Sequence, residues 1–176
     1  MQKPPFGVIS QNAFIVKDID AGIDYWTRTM HVGPFFKFPH IVFEKADYRG
    51  EAQVPDFEAA IAYSGDLNIE LIKPNGPSIF REFRDAGGSG IHHFGAFVDD
   101  FASAAAALEQ RGGKRLQGGS FADGSVLAYF EMNGGNGGAH SPIIEIAHLK
   151  EGPQALFKAV KAAGAAWDGI TKTITF

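Results

Sequence analysis

Two glutamates stand where a strand should be apolar. Asn68-Ile69-Glu70-Leu71-Ile72 and Ile143-Ile144-Glu145-Ile146-Ala147 each set one carboxylate among residues that favour a buried strand. A lone buried carboxylate is costly and normally neutralises or acquires a partner. One divalent cation would partner both, since two carboxylates balance a 2+ charge. Gln11 and His93 complete the set with an amide oxygen and an imidazole nitrogen. Three oxygens and one nitrogen suit Mn, Co, Ni, Zn or Mg. Taken singly, each residue has a plainer reading. A strand histidine is usually a core or surface residue, a strand glutamate usually faces water at an edge, and one glutamine means nothing.

What joins the four is a repeat. Gln11 and His93 are 82 positions apart, and at that offset Val16 meets Val98, Asp18 meets Asp100, Ile19 meets Phe101, Ile23 meets Ala105 and Trp26 meets Leu108. Strand, acidic turn and helix stripe stay in register without a gap, the signature of a duplicated unit. Glu70 and Glu145 are 75 apart, so the second copy is shorter by seven residues, which loops can absorb. Two residues beyond Gln11, His93 and Glu145 lie Ala13, Gly95 and Ala147, small enough to leave room beside a metal; Ile72, beyond Glu70, breaks that rule.

The elements that must position these residues follow from periodicity. Residues 7–16 alternate as a strand. Asp18 or Asp20 caps a helix whose stripe is Ile19, Ile23, Trp26 and Met30, and Gly33-Pro34 stops it. Phe35 to Lys45 reads as one long or two short strands, and the polar stretch with Asp47, Arg49, Gly50, Glu51 and Pro55 as a loop. Phe57–Tyr63 and Leu67–Lys73 form a hairpin around Ser64-Gly65-Asp66. Ser78 caps a short linker helix. The pattern then restarts with the strand around His93, an Asp99 or Asp100 cap, an alanine-rich helix from Phe101 to Arg111, and strands at Ser125–Met132 and Pro142–Leu149. Turn signals at Gly118-Gly119 and Asp123-Gly124 bracket one further short strand. Pro153 to Ala166 is expected to be helical with Leu156, Phe157, Val160 and Ala163 as its stripe, and Thr171–Phe176 to be an edge strand or a tail.

The expected fold is α+β: two tandem βαβββ modules in a curved mixed sheet, a half-barrel around a central cavity, plus a C-terminal helix. The first module spans 1–74, a linker with a short helix 75–90, the second module 91–150, and the C-terminal helix and tail 151–176. Whether the modules pair within one chain or across a dimer is open at this level, and a homodimer is expected because sheet edges and apolar tail residues need cover.

Composition narrows the function. The net charge of −4 argues against a nucleic-acid surface, which wants clustered Lys and Arg. Without cysteine there are no disulfides, thiolate metal ligands or thiol nucleophiles. No apolar run could span a bilayer, and no signal-peptide pattern opens the chain, so no membrane partner and a cytoplasmic location are expected. The 16 phenylalanines exceed what a small core usually needs, and Phe36 and Phe97, with Tyr129, are candidates for the wall of an apolar pocket. Among the other histidines, alternation sends His92 and His148 away from the ligand face, and His31, His40 and His140 fall at turns. The Gly134–Gly138 run opens no helix and carries no Lys-Ser/Thr, so it reads as a mobile loop near the site rather than a phosphate cradle.

Two βαβββ units with ligands on the first and last strand of each resemble the vicinal oxygen chelate superfamily of glyoxalases, methylmalonyl-CoA epimerases, extradiol dioxygenases and antibiotic-resistance proteins. The closest echoes are His93-Phe94-Gly95-Ala96-Phe97-Val98-Asp99-Asp100 and the phrases around Glu70 and Glu145. The resemblance covers residues 8–150 and places the ligand positions on Gln11, Glu70, His93 and Glu145, a set similar to eukaryotic-type glyoxalase I. Extradiol dioxygenases use two histidines and one carboxylate, so Gln11 argues against that chemistry. The resemblance implies one divalent metal ion (Zn, Ni, Co, Mn or Mg) and a small-molecule substrate. It further implies an isomerase, epimerase or lyase that removes a proton next to a carbonyl in a small apolar or acyl-type molecule, with Glu145 or Glu70 as the base. The alternative within the same fold is a non-catalytic protein that binds or sequesters a drug.

Overall fold

The computed structural model describes residues 4–132 and 143–175. In the first half, β1 (Ile9–Ile15) leads into α1 (Ile19–Thr29), capped by the Asp18 carboxylate, which accepts from the Ala21 N–H at 2.9 Å. Next come β2 (Phe35–Phe38), β3 (Lys45–Tyr48), β4 (Glu51–Ala52), β5 (Phe57–Ser64) and β6 (Leu67–Pro74). The linker helix α2 (Ile79–Asp85) is capped by Ser78. The second half runs β7 (Ile91–Phe97), α3 (Phe101–Glu109) capped by Asp100, β8 (Gly113–Ser120), β9 (Val126–Met132) and β10 (Ile143–His148). Then α4 (Glu151–Ala165) and a short β11 (Thr173–Thr175) close the chain.

All strands belong to one mixed sheet, ordered β11-β2-β5-β6-β1-β7-β10-β9-β8-β3-β4. At its centre β1 pairs parallel with β6 and antiparallel with β7, and β7 pairs parallel with β10. The strands that carry the four candidate ligands are therefore the central ones, and the two halves join strand to strand within one chain. On one face of the sheet, α1 packs Ile19 and Ile23 against Ile69 and Leu71, and α3 packs Ala104 and Leu108 against Phe130 and Ile146. Met30, expected on the α1 stripe, is instead the helix C-cap and half exposed.

Two strand expectations are corrected. The polar stretch after residue 45 is not a loop but the β3–β4 hairpin. Arg49 and Gly50 both adopt positive φ (54° and 86°), the geometry of a tight two-residue turn. This hairpin leaves the first half and pairs with β8 at the far edge. Consecutive strands β2 and β3 thus lie near opposite ends of the sheet, and residues 39–44 tie those ends together. Phe43 in that segment is buried between Phe57 of the first half and Phe121 of the second, at centroid distances of 6.2 and 4.7 Å. Gly118 and Gly119, expected to turn the chain, lie inside β8. A Cβ on Gly118 would come 2.8 Å from the Leu127 carbonyl, and one on Gly119 2.8 Å from that of Lys45. They are glycines because neighbouring strands approach closely, not because the chain bends there. The Gly134–Gly138 run and His140 lie outside the described residues.

Candidate metal centre

Register brings the candidate ligands together. Gln11 and Ala13 on β1 lie beside Asn68 and Glu70 on β6, and beside Gly95 and His93 on β7; Glu145 on β10 lies beside Gly95. The His93 imidazole is fully buried, and its Nε2 stands 3.1 Å from Glu145 Oε2 and 3.5 Å from Glu70 Oε2. One donor atom each from Glu70, His93 and Glu145 falls within 4.8 Å of the other two. Gln11, 4% exposed, meets the cluster through its amide nitrogen, which donates to Glu70 Oε2 at 3.3 Å and to Asn68 Oδ1 at 3.0 Å. Asn68 is itself oriented by donating to the Ala62 carbonyl at 3.1 Å. Because Asn68 presents its oxygen, Gln11 must present its nitrogen, and Gln11 Oε1 is left uncommitted. Gly95 makes space for that oxygen. A Cβ there would overlap Gln11 Oε1 and lie 2.9 Å from Gln11 Cβ. The small residue expected to leave room for a substrate at position 95 therefore leaves room for a ligand side chain, whereas Ala147 lines the cavity.

The electrostatics are those of a site short of positive charge. Burial raises the Glu70 carboxyl, His93 works against that, and the charge of Glu145 adds to it. Burial opposes the proton on His93, but hydrogen bonds to Glu145 and Glu70 outweigh it and push the imidazole up to about 9. In the metal-free protein His93 therefore carries the one cation between two carboxylates. Tyr129, buried with its ring 5.0 Å from His93, is raised well above the ordinary phenol by burial and by Glu145 and Glu70, and stays neutral.

His92 is the residue that strand alternation misplaces. Ala13 pairs with His93 and Phe14 with Ile91, so His92 is an extra residue in β7, a β-bulge. The bulge turns it to the same side as His93, and both rings pack against Phe80, at 5.3 and 6.2 Å. Their Nδ1 atoms stand 2.9 Å apart. Burial, and then the neighbouring His93 charge, lower His92 to about 3, so it stays neutral. The other histidines are elsewhere: His148 Nδ1 meets the Val98 carbonyl, His40 pairs with Asp56, and His31 packs on Trp167.

A cavity of about 250 Å³ opens on the cluster. Gln11, Glu70, Tyr129 and Glu145 form its polar end, and Phe38, Ile41, Phe57, Phe97, Phe121 and Leu127 its wall, with Leu156 and Phe157 of α4. Phe97 and Tyr129 stand where the sequence placed them. Phe36 does not; it packs with Ile61 and Val160 beneath α4, and Phe38 takes its place. Among the described residues the wall carries no Lys or Arg. Two contributors were missed from sequence. Asn68 shares the Glu70 strand face, so alternation could have flagged it, whereas α4 lies outside the repeat and carries no signal of its place.

Known proteins share this architecture. A family model for the Glyoxalase/Bleomycin resistance protein/Dioxygenase superfamily matches residues 10–130. No curated protein matches the chain. Among solved structures, a hypothetical protein from Bacillus halodurans superposes with a TM-score of 0.55 at 18% identity, covering 82% of this chain and 95% of its own. Methylmalonyl-CoA epimerase from Mycobacterium tuberculosis follows with 0.54 at 15%, covering 84% and 91%. A Streptomyces coelicolor methylmalonyl-CoA epimerase variant in complex with 2-nitronate-propionyl-CoA gives 0.54 at 16%, covering 82% and 96%. At these identities the likeness is one of fold. Among the described residues no helix is long and apolar enough to cross a membrane.

Proposed function

The chain belongs to the glyoxalase/bleomycin resistance protein/dioxygenase superfamily, and from that premise we propose that it is a divalent-metal-dependent isomerase, epimerase or lyase. In this reading it removes a proton next to a carbonyl of a small, apolar molecule whose buried part is uncharged. The observation that carries the reading is the convergence of Glu70, His93 and Glu145 within 4.8 Å at the polar end of an otherwise apolar cavity. The residues fit a metal ion: two carboxylates and one buried imidazole converge, and an amide beside them, whose nitrogen now meets Glu70, could add its oxygen by turning over. A divalent ion held by Gln11, Glu70, His93 and Glu145 would supply Lewis-acid stabilisation of charge developing on a carbonyl oxygen.

The chain's own residues do the rest. The aromatic wall excludes water and receives an apolar group. Away from that polar end, the wall offers a substrate carboxylate or phosphate no Lys or Arg among the described residues, and burying an unpaired charge is costly. A glutamate facing the cavity takes the proton from carbon and returns it. Burial raises the Glu70 carboxyl above its ordinary value, which makes it a stronger proton acceptor so long as no ion coordinates it. Glu145 shares the wall, and the two Glu→Gln substitutions assign the role.

Elemental analysis of protein purified without chelators is expected to find one equivalent of divalent metal. A deuterium-exchange screen over α-hydroxy ketones, thiohemiacetals and acyl thioesters is expected to find wash-in at the carbon next to the carbonyl, abolished in Glu70→Gln or Glu145→Gln while metal is retained. Absence of both metal and metal-induced thermal stabilisation would sink the catalytic reading. The apolar wall would then favour a binding protein that sequesters a drug-like molecule.

A further inference from the structure

We propose that His92 is a positioning residue that sets the proton arrangement and ring orientation of His93, and through it the affinity of the centre for metal. The proposal rests on the metal reading above. The β7 bulge brings His92 Nδ1 to 2.9 Å from His93 Nδ1, while His93 Nε2 faces Glu145 and Glu70. Once His93 has given up the proton that makes it a cation, as metal binding requires, two neutral ring nitrogens at that distance share one proton, so one donates and the other accepts. For His93 to offer the Nε2 lone pair to a cation, its proton must sit on Nδ1 and be accepted by His92 Nδ1. The proton of His92 then sits on Nε2. That atom is buried and has no hydrogen-bond partner of good geometry among the described residues, only a weak approach to the Ile79 backbone.

The opposite arrangement puts the His93 proton on Nε2, aimed at the two carboxylates, and blocks the metal. It also leaves His92 Nε2 unprotonated, which relieves the unpartnered N–H. The pair thus has two proton arrangements, one compatible with metal and one not. T-shaped packing against Phe83 at 5.0 Å and Phe80 at 5.3 Å holds the His92 ring in place. Histidine ligands usually donate their second N–H to a carboxylate, carbonyl or water. Here a second histidine takes that part, supplied by one extra residue in the same strand.

The test is a zinc titration of wild type, His92→Asn and His92→Leu, with ¹⁵N-histidine spectra of the wild-type zinc form. Asn keeps an acceptor near the Nδ1 position; Leu keeps bulk and loses the acceptor. His92→Leu is expected to lower zinc affinity roughly 10–100-fold, the usual effect of losing a ligand's support. His92→Asn is expected to stay nearest wild type, and the spectra to show His93 protonated at Nδ1. Equal affinity in all three proteins, or a zinc-bound His93 bare at Nδ1, overturns the role of His92 and leaves the metal reading standing. If wild type takes up no zinc, nickel, cobalt, manganese or magnesium, the metal reading itself fails and this inference with it. Because the spectra use wild type, a variant that does not fold leaves the proposal falsifiable.

Discussion

Gln11 and His93 occupy matching positions in the two halves, yet the halves hold them in opposite ways. In the first, support runs from Gln11 to Asn68 to the Ala62 carbonyl and ends there, with both bonds buried. In the second it runs from His93 to His92 and ends on a buried nitrogen with no well-formed partner among the described residues. The first chain is built of amides, which do not titrate and have one good arrangement. The second is built of imidazoles, which have two. The two halves share these candidate-ligand positions and support them differently. An amide half and a proton-adjustable half together would suit the proposed site, where a metal would take the place of a proton.

The largest effect is expected from removing His93. His93→Ala takes away the cation between Glu70 and Glu145 and one metal donor. Breaking a buried ion pair costs up to about 3–5 kcal/mol, less what protonation of the carboxylates recovers. Metal affinity should fall by more than the roughly 10–100-fold expected of a supporting residue. The same side chain sets a pH signature. Its folded pKa of about 9 lies above its ordinary 6.5. The stability it contributes to the metal-free protein is therefore full below pH 6.5 and is lost as pH rises through 9. Denaturant melts of the metal-free protein across that window should show the decline, and His93→Ala should flatten it. Metal uptake runs the other way, weakening in acid because binding must expel the His93 proton.

Gly95→Ala perturbs the amide half from across the strand boundary. The added methyl must displace Gln11, and forced overpacking of this kind costs about 1–3 kcal/mol. A thermal melt and a cobalt titration should both report a loss. Unchanged cobalt affinity would remove Gln11 from the ligand set.

Asn68→Leu and His92→Leu should separate the two supports. Losing Asn68 strips partners from the Ala62 carbonyl and one Gln11 N–H, a cost of about 1–3 kcal/mol. Losing His92 exchanges one unpartnered N–H for another, so metal-free stability should move by no more than about 1 kcal/mol. Equal destabilisation in urea melts would mean that the two supports do not differ as their hydrogen bonds imply.

Much of this was readable before any coordinates. An in-register repeat marked the strand and helix that open each half, Asp18, Asp100 and Ser78 marked the helix starts, and two glutamates stood out in apolar strands that prove to be neighbours of one cluster. What escaped depends on contacts between distant residues. Lys45–Tyr48 looks like loop because a four-residue strand one place in from the sheet edge is only partly buried, and its partner β8 lies some 70 positions away. Gly118 and Gly119 carry a turn signal locally, and only the neighbouring strands show why no Cβ fits. His92 was sent outward by a period of two that a single inserted residue reverses.

The smallest effect expected lies on the surface, where the stray hairpin meets the linker helix. Glu82 of α2 accepts from Tyr48, and from Arg49 at 2.5 and 3.1 Å. The Arg49 guanidinium, against the pull of burial and with help from Tyr48, holds the Glu82 carboxyl below its ordinary 4.5. A depressed carboxylate contributes stability above pH 4.5 that is lost as pH falls through its folded value. Both partners are about 40% exposed, so solvent limits the contribution to about 1 kcal/mol or less. Glu82→Gln should shave the acid limb of the stability profile and leave the alkaline limb, which belongs to His93, in place. A shift in the alkaline limb would instead show that the clip is felt at the centre. The α2 helix offers a route, because Phe80, two residues before Glu82, packs on His92 and His93 alike.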